Sequence, residues 1–209
     1  MSAQPIQNTA AVGAIHRHER RHAAVTLAIA ALVACGSVAL HRAGLLRVET
    51  ALPGTGRFAV EVALFVFAFD FYFYGLHRLL HTRWLYRVHA VHHLSKQPRP
   101  LTALSFHPVE SFLLLLYPVL VMALVPIHLA SVSVGGTLLA ASIALAHWRG
   151  DFFPTWWLGT PVLGWIASPS VHEAHHRLYD CNFSATTSIP DRLFGTYRLQ
   201  AIGVGPRER

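Results

Sequence analysis

Three apolar stretches organise the chain. Ala23 to Leu40 runs eighteen residues without a charge, about the shortest helix that crosses a bilayer. Phe58 to Leu76 runs nineteen residues with only Glu61 and Asp70 charged. Phe112 to Ala146 holds only apolar, small and hydroxyl residues, two prolines and His128. That stretch is too long for one span. Pro126 and the small, polar run "SVSVGG" predict a helical hairpin that enters and returns on the same side. The pattern therefore predicts an all-α, polytopic integral membrane bundle of about four transmembrane helices. Residues 1–22 are polar and predict a surface arm. Residues 23–200 form one membrane-embedded domain, and 201–209 a short tail. The segment "FFPTWWLGTPVLGWI" is expected to lie partly at the interface and not to form a fifth span.

Composition agrees. Of 209 residues, 53% are hydrophobic and 13% charged, against about 25% charged in soluble domains. The net charge of +7 comes from scattered basic residues. A nucleic-acid binder would gather them on one face beside stacking aromatics, so no nucleic-acid partner is expected. Instead they orient the chain. Arg17, Arg20 and Arg21 lie in the arm. Arg78, Arg83, Arg87, Lys96 and Arg99 follow the second span, and Arg149, Arg177, Arg192, Arg198, Arg207 and Arg209 follow the fourth. The loop 41–57 carries only Arg42, Arg47 and Arg57. The positive-inside rule then puts both termini and the segments after the second and fourth spans in the cytoplasm. All five tryptophans fall in those portions, where an aromatic belt would sit. The basic run 78–99 could also hold anionic head groups or an acidic electron donor. The two cysteines, Cys35 and Cys181, form no metal or disulfide motif. "LVAC" at 32–35 resembles a lipoprotein cleavage site; cleavage there would leave the later topology unchanged.

Candidate chemistry lies in the fifteen histidines. His41 and His128 fall at the far membrane face, about 30 Å from the others, and are excluded from any common site. His16, His18 and His22 are expected to be solvated in the arm. The remaining ten lie at cytoplasmic boundaries. His77 and His81 share a helix face, as do His89, His92 and His93, and the HxxHH spacing recurs at His172, His175 and His176. His147 closes the fourth span and His107 opens the third. Ser170 and Glu173 predict a capping box that starts a helix at Val171. Asp70, Tyr74, His77 and His81 share one stripe, so Asp70 is expected to orient an imidazole through its second ring nitrogen. Glu61 is expected to snorkel toward the outer interface. So many neutral imidazoles have few partners in a dry bundle, and charged ones repel; metal ions answer both problems. The count suits two ions of four or five nitrogens each. Spacing alone leaves iron, zinc, copper and nickel open.

"HRLLH", "HAVHH", "HPVE", His147, "HEAHH" and "DRLFGTY" together resemble the fatty acid hydroxylase / sterol desaturase superfamily, from Asp70 to about Tyr197. The resemblance implies a membrane-bound, non-haem diiron oxidoreductase with a histidine-rich helical cap. It implies two iron ions, cycling between Fe2+ and Fe3+, with O2 as co-substrate and zinc as an alternative occupant of a purified protein. The substrate would be a membrane lipid (a fatty acyl chain, a sterol or similar), hydroxylated or, on the same site, desaturated. Electrons would come from a separate donor of ferredoxin or cytochrome b5 type with its reductase. The implied ligands are His77, His81, His89, His92, His93, His147, His172, His175 and His176. His107, Asp70, Tyr74, Glu173 and Asn182 are further candidates to ligate or to support ligands. Two rivals have distinct signatures. "HEAHH" contains the HExxH spacing of zinc hydrolases, with Glu173 as base. A metal transporter would place its ligands near the bilayer midplane.

Overall fold

A computed structural model describes residues 9–198 except 97, 149, 151, 155 and 161. The tail 201–209, the first eight residues of the expected arm and the basic residue Arg149 thus lie outside the described residues.

Four long helices run up and down as a bundle. These are α1 (Thr9–Arg42), α2 (Thr55–Leu80), α4 (Pro108–Leu124) and α5 (Leu129–Ala146), with the short helix α3 (Tyr86–His93) between α2 and α4. Three of the four are long and apolar enough to cross a membrane; α4, with 17 residues, is a shorter apolar helix. The expected hairpin is α4 and α5, and it turns at Val125–His128. "SVSVGG" lies inside α5 instead of forming the turn. Its Gly135 lets α2 approach closely, since a Cβ there would sit 2.6 Å from the Phe65 ring. Phe65, Phe69, Tyr117, Met122 and Leu139 form the bundle core. The Tyr117 hydroxyl donates to the Phe65 carbonyl at 2.5 Å, so its polar end is satisfied where water is absent.

At one end the chain ties its loops with a two-residue parallel ladder, β1 (Val48–Glu49) against β2 (Ile127–His128). Glu61 does not snorkel there. It accepts from the His128 backbone at 3.1 Å, faces His128 Nδ1 at 2.9 Å and pairs with Arg57 at 2.8 Å. The His128 Nε2 in turn faces Glu49 at 3.1 Å. A carboxylate on an apolar helix gains more from these partners than from reaching for water.

The other end carries the cap: α3, α6 (Pro169–Leu178), α7 (Ile189–Leu193) and the 3-10 turn Pro100–Leu104. The expected polar arm is part of this end. Residues 9–22 continue α1 without a break. Glu19 is fully buried and accepts from Ser95 at 2.7 Å, from Thr102 at 2.8 Å and from Arg99. His22 Nδ1 meets the Phe106 carbonyl at 3.0 Å, so it is not solvated. The expected surface arm instead carries a buried carboxylate that pins the α3–α4 connection to α1. Between α5 and α6 the described residues form two 3-10 turns, Trp157–Gly159 and Leu163–Trp165, and a single antiparallel bridge from Ile166 to Thr187, with no further long helix.

Candidate metal centre

Four helices bring nine imidazoles to the cap end. The last turn of α2 supplies His77, and His81 follows at its C-cap. One face of α3 supplies His89, His92 and His93, α6 supplies His172, His175 and His176, and the C-cap of α5 supplies His147. α6 begins two residues earlier than the predicted capping box. Ser168, not Ser170, is the N-cap, and its hydroxyl accepts from the Val171 N–H. Pro169 at the first helical position is well suited to that start.

The rings sort into two groups, within each of which the candidate ligand nitrogens all lie within 4.8 Å of one another. His77, His81, His89, His93 and His175 form one; His92, His147, His172 and His176 form the other. The groups adjoin, with the His93 and His176 ring centroids 4.7 Å apart. Within the first, Nε2 atoms approach at 2.9 Å (His77–His89), 3.2 Å (His93–His175) and 3.3 Å (His81–His93). Within the second they approach at 2.9 Å (His147–His172), 3.0 Å (His172–His176) and 3.4 Å (His92–His147).

The opposite ring nitrogens explain why these contacts need a cation. His77 Nδ1 lies 2.7 Å from the Phe183 carbonyl, His147 Nδ1 2.7 Å from that of Ile143, and His175 Nδ1 2.7 Å from that of Cys181. His92 Nδ1 lies 3.3 Å from the Ser105 carbonyl. A carbonyl only accepts, so each of these rings carries its proton on Nδ1 and a bare lone pair on Nε2. His92 and His147 therefore point two lone pairs at each other. Extra protons do not relieve this. Burial holds His147 and His175 down to about 4. Burial, then the charge of His175, holds His81 down to about 3. Converging neutral imidazoles, oriented from behind, are the donor set that a transition-metal ion takes. The residues present fit metal ions at both groups.

The groups that orient the imidazoles differ in part from the sequence expectation. Asp70 touches no imidazole. It accepts from the Thr186 N–H (2.9 Å) and hydroxyl (2.6 Å), and from the Thr187 N–H (2.9 Å) and hydroxyl (2.6 Å). Asp191, which sequence reasoning did not single out, accepts from the Phe183 and Ser184 N–H groups, both at 2.8 Å, and from the Thr196 hydroxyl at 2.7 Å. The two carboxylates thus stitch the buried irregular segment Cys181–Ser188, whose carbonyls at Cys181 and Phe183 face two of the imidazoles. Non-helical backbone in a membrane protein must have its polar groups satisfied by protein in this way. The carboxylate that does meet an imidazole of the two groups is Glu110, in the quoted "HPVE", 2.7 Å from His89 Nδ1 with both side chains buried.

The other candidates fall elsewhere. His107 is the N-cap of α4, its Nδ1 accepting from the Val109 N–H at 3.2 Å, and belongs to neither group. The Tyr74 hydroxyl meets Thr196 at 3.1 Å and accepts from Arg78 at 3.0 Å. Glu173 is exposed on the outer face of α6. Asn182 is buried in left-handed backbone (φ 56°) and accepts from the Arg198 N–H at 2.8 Å, closing the segment on itself.

A helical bundle of membrane type that gathers nine buried or half-buried imidazoles into two metal-binding groups defines the class. Within that class the chain belongs to the fatty acid hydroxylase family, whose model matches residues 62–196. It is similar to methylsterol monooxygenase 2-1 of Arabidopsis thaliana, at 32% identity over 69% of this chain and 58% of that protein. It is 37% identical to very-long-chain aldehyde decarbonylase GL1-8 of Oryza sativa subsp. indica, over 72% of this chain and 57% of that one. Lathosterol oxidase of Mus musculus is 31% identical over 70% of this chain and 48% of its own. The chain thus spans about half to three fifths of these curated relatives. No solved structure matches it significantly.

Proposed function

We propose that the protein is a diiron, O2-dependent oxidoreductase that hydroxylates a C–H bond of a membrane lipid with externally supplied electrons. The observation that carries this reading is the pair of imidazole groups with converging nitrogens, in which the opposite nitrogens of His77, His89, His92, His147 and His175 are tied to carbonyls or to Glu110. Relatives named as sterol monooxygenase and sterol oxidase support lipid oxidation as the class of chemistry.

His77, His81, His89, His93 and His175 would hold one iron, and His92, His147, His172 and His176 the other. When bound, the irons would supply the reduction of O2 and the oxidising power for an unactivated C–H bond. The chain's own residues do the rest. The carbonyls of Ser105, Ile143, Cys181 and Phe183 and the Glu110 carboxylate keep the rings in one tautomer and orientation. Burial keeps the imidazoles neutral. The apolar bundle below accepts the hydrocarbon part of a lipid. Hydroxylation consumes the lipid, one O2, two electrons and two protons, and yields the alcohol and one water. Desaturation on the same site would yield an alkene and two waters. The site, both termini and the donor's docking face would lie in the cytoplasm. A zinc hydrolase is the weaker reading, because Glu173, its would-be base, is exposed and turned away from both groups.

The test is direct. Protein purified anaerobically with iron should carry about two irons per chain. With a reductase system and membrane lipid it should take up O2. Lipid mass spectrometry should show a gain of one oxygen; loss of two hydrogens would assign desaturation, and iron-free protein active on an ester or peptide would refute the oxygenase.

A further inference from the structure

Eight of the nine imidazoles are buried, and His81 alone is half-buried. It is reached by an open cleft of about 490 Å³ lined by Arg78, His81, Tyr86, Tyr179, Asp180 and Phe183, among others. None of the four-histidine group lines this cleft. Two tyrosines cover its floor. The Tyr179 ring lies over His93, centroids 4.8 Å apart, and meets Tyr86 edge-on at 6.3 Å. Tyr86 lies 5.7 Å from His81 and 6.2 Å from His93. Tyr179 sits at the C-cap of α6 in left-handed backbone, φ 68°. Glycine adopts that conformation without penalty and commonly ends helices there. The Tyr179 N–H closes the helix on the His175 carbonyl at 2.8 Å, as a glycine there would; the ring adds strain without adding to that bond, so its place over the imidazoles is what it contributes.

We infer that this cleft is the aqueous port of the metal centre, through which metal ions enter and water and protons exchange, and that the Tyr179 ring is its cover. The inference rests on the reading of the histidines as metal ligands and adds a route to the five-histidine group. Arg78 and Asp180 make the mouth polar, as a path for hydrated ions requires, whereas the lipid must arrive from the apolar bundle side.

The test follows iron leaving the loaded protein in mild detergent, as the coloured complex of a ferrous chelator. Tyr179→Gly removes both ring and strain. It should release iron at least about fivefold faster than wild type, as local opening at a cover predicts, with no loss of thermal stability. Tyr179→Phe keeps the ring and should release iron at the wild-type rate. A second arm runs the other way and does not depend on a loosened fold. Thr82→Cys, at the exposed mouth, is made in a Cys35→Ser background, leaving buried Cys181 as the remaining native thiol. Modification with a bulky thiol reagent should slow release. Unchanged release after plugging, or equal acceleration by Tyr179→Gly and Tyr179→Phe, overturns the port. Wild-type protein that takes up no iron overturns the metal reading beneath it, a separate result.

Discussion

Asp191 is the sharpest place to perturb the centre without touching an imidazole. It is 1% exposed, and its oxygens accept from the Phe183 and Ser184 N–H groups and the Thr196 hydroxyl. Asp191→Ala strands two buried backbone donors, each at a cost of about 1–3 kcal/mol. The expected loss is thus roughly 2–6 kcal/mol, before any cavity term. At about 2–4 °C per kcal/mol for a chain of this size, the thermal midpoint should fall by at least about 4 °C. Asp191→Asn keeps one acceptor oxygen and turns an amide toward the other donor, so its loss should be intermediate. The consequence reaches the site through one link: the segment that Asp191 pins carries the Phe183 carbonyl 2.7 Å from His77 Nδ1. Freed from it, His77 can take the other tautomer or another rotamer, and the five-histidine group loses a ligand. Differential scanning fluorimetry in detergent and iron analysis on the same preparations read both effects. If Asp191→Ala holds wild-type iron and melts within about 1 °C of wild type, the stitched segment does not position the metal site and the reasoning fails.

Other expectations follow from the same contacts. His107→Ala removes an N-cap and should cost about 1 kcal/mol in stability while iron content stays at the wild-type level, whereas His92→Ala should lose iron. His128→Ala leaves Glu61 and Glu49 short of a partner at the far end of the bundle; a lower thermal midpoint with unchanged iron stoichiometry is expected, and iron loss would contradict the separation of the two ends. Glu173→Gln, on the exposed face of α6, should leave iron and oxygenase activity intact, and abolished activity in a hydrolysis assay would reverse that assignment. The metal-free protein should lose stability on acidification. His147 and His175 are held to about 4 by burial, so between about 6.5 and 4 the unfolded chain binds protons that the folded one does not. Each contributes a slope of up to about 1.4 kcal/mol per pH unit in that window and none above it, which denaturation across pH would measure.

The bundle was legible because bilayer spans announce themselves by length and absence of charge. Ala23–Leu40 and Phe58–Leu76 fall within observed helices, and the Pro126-broken hairpin is the pair α4 and α5 on either side of that break. What composition hid was polarity that is buried by partners lying far away in sequence. Glu19 meets Ser95 and Thr102 across a separation of 76 and 83 residues. A window along the chain sees a charged arm there, where three dimensions supply a satisfied carboxylate. Glu61 reads as snorkelling toward the outer interface for the same reason, whereas its partners are His128 and Arg57.

The site divides along a similar line. Helical periodicity places His89, His92 and His93, or His172, His175 and His176, on one face, and repetition of the spacing says that the faces meet. The partners of the second ring nitrogens follow no such rule, because four of them are backbone carbonyls and a carbonyl leaves no mark in residue identity. Its stripe alone makes Asp70 read as an imidazole's partner. It lies about two turns below His77 and serves instead the segment that dips down beside α2. The same logic makes that segment informative. Its length matters less than its two anchors, Asp70 and Asp191, which convert an otherwise intolerable stretch of irregular backbone into a rigid row of carbonyls facing the rings. A chain that keeps the nine histidines but loses either anchor should still look like a member of this family in its motifs while failing to hold its metals in place.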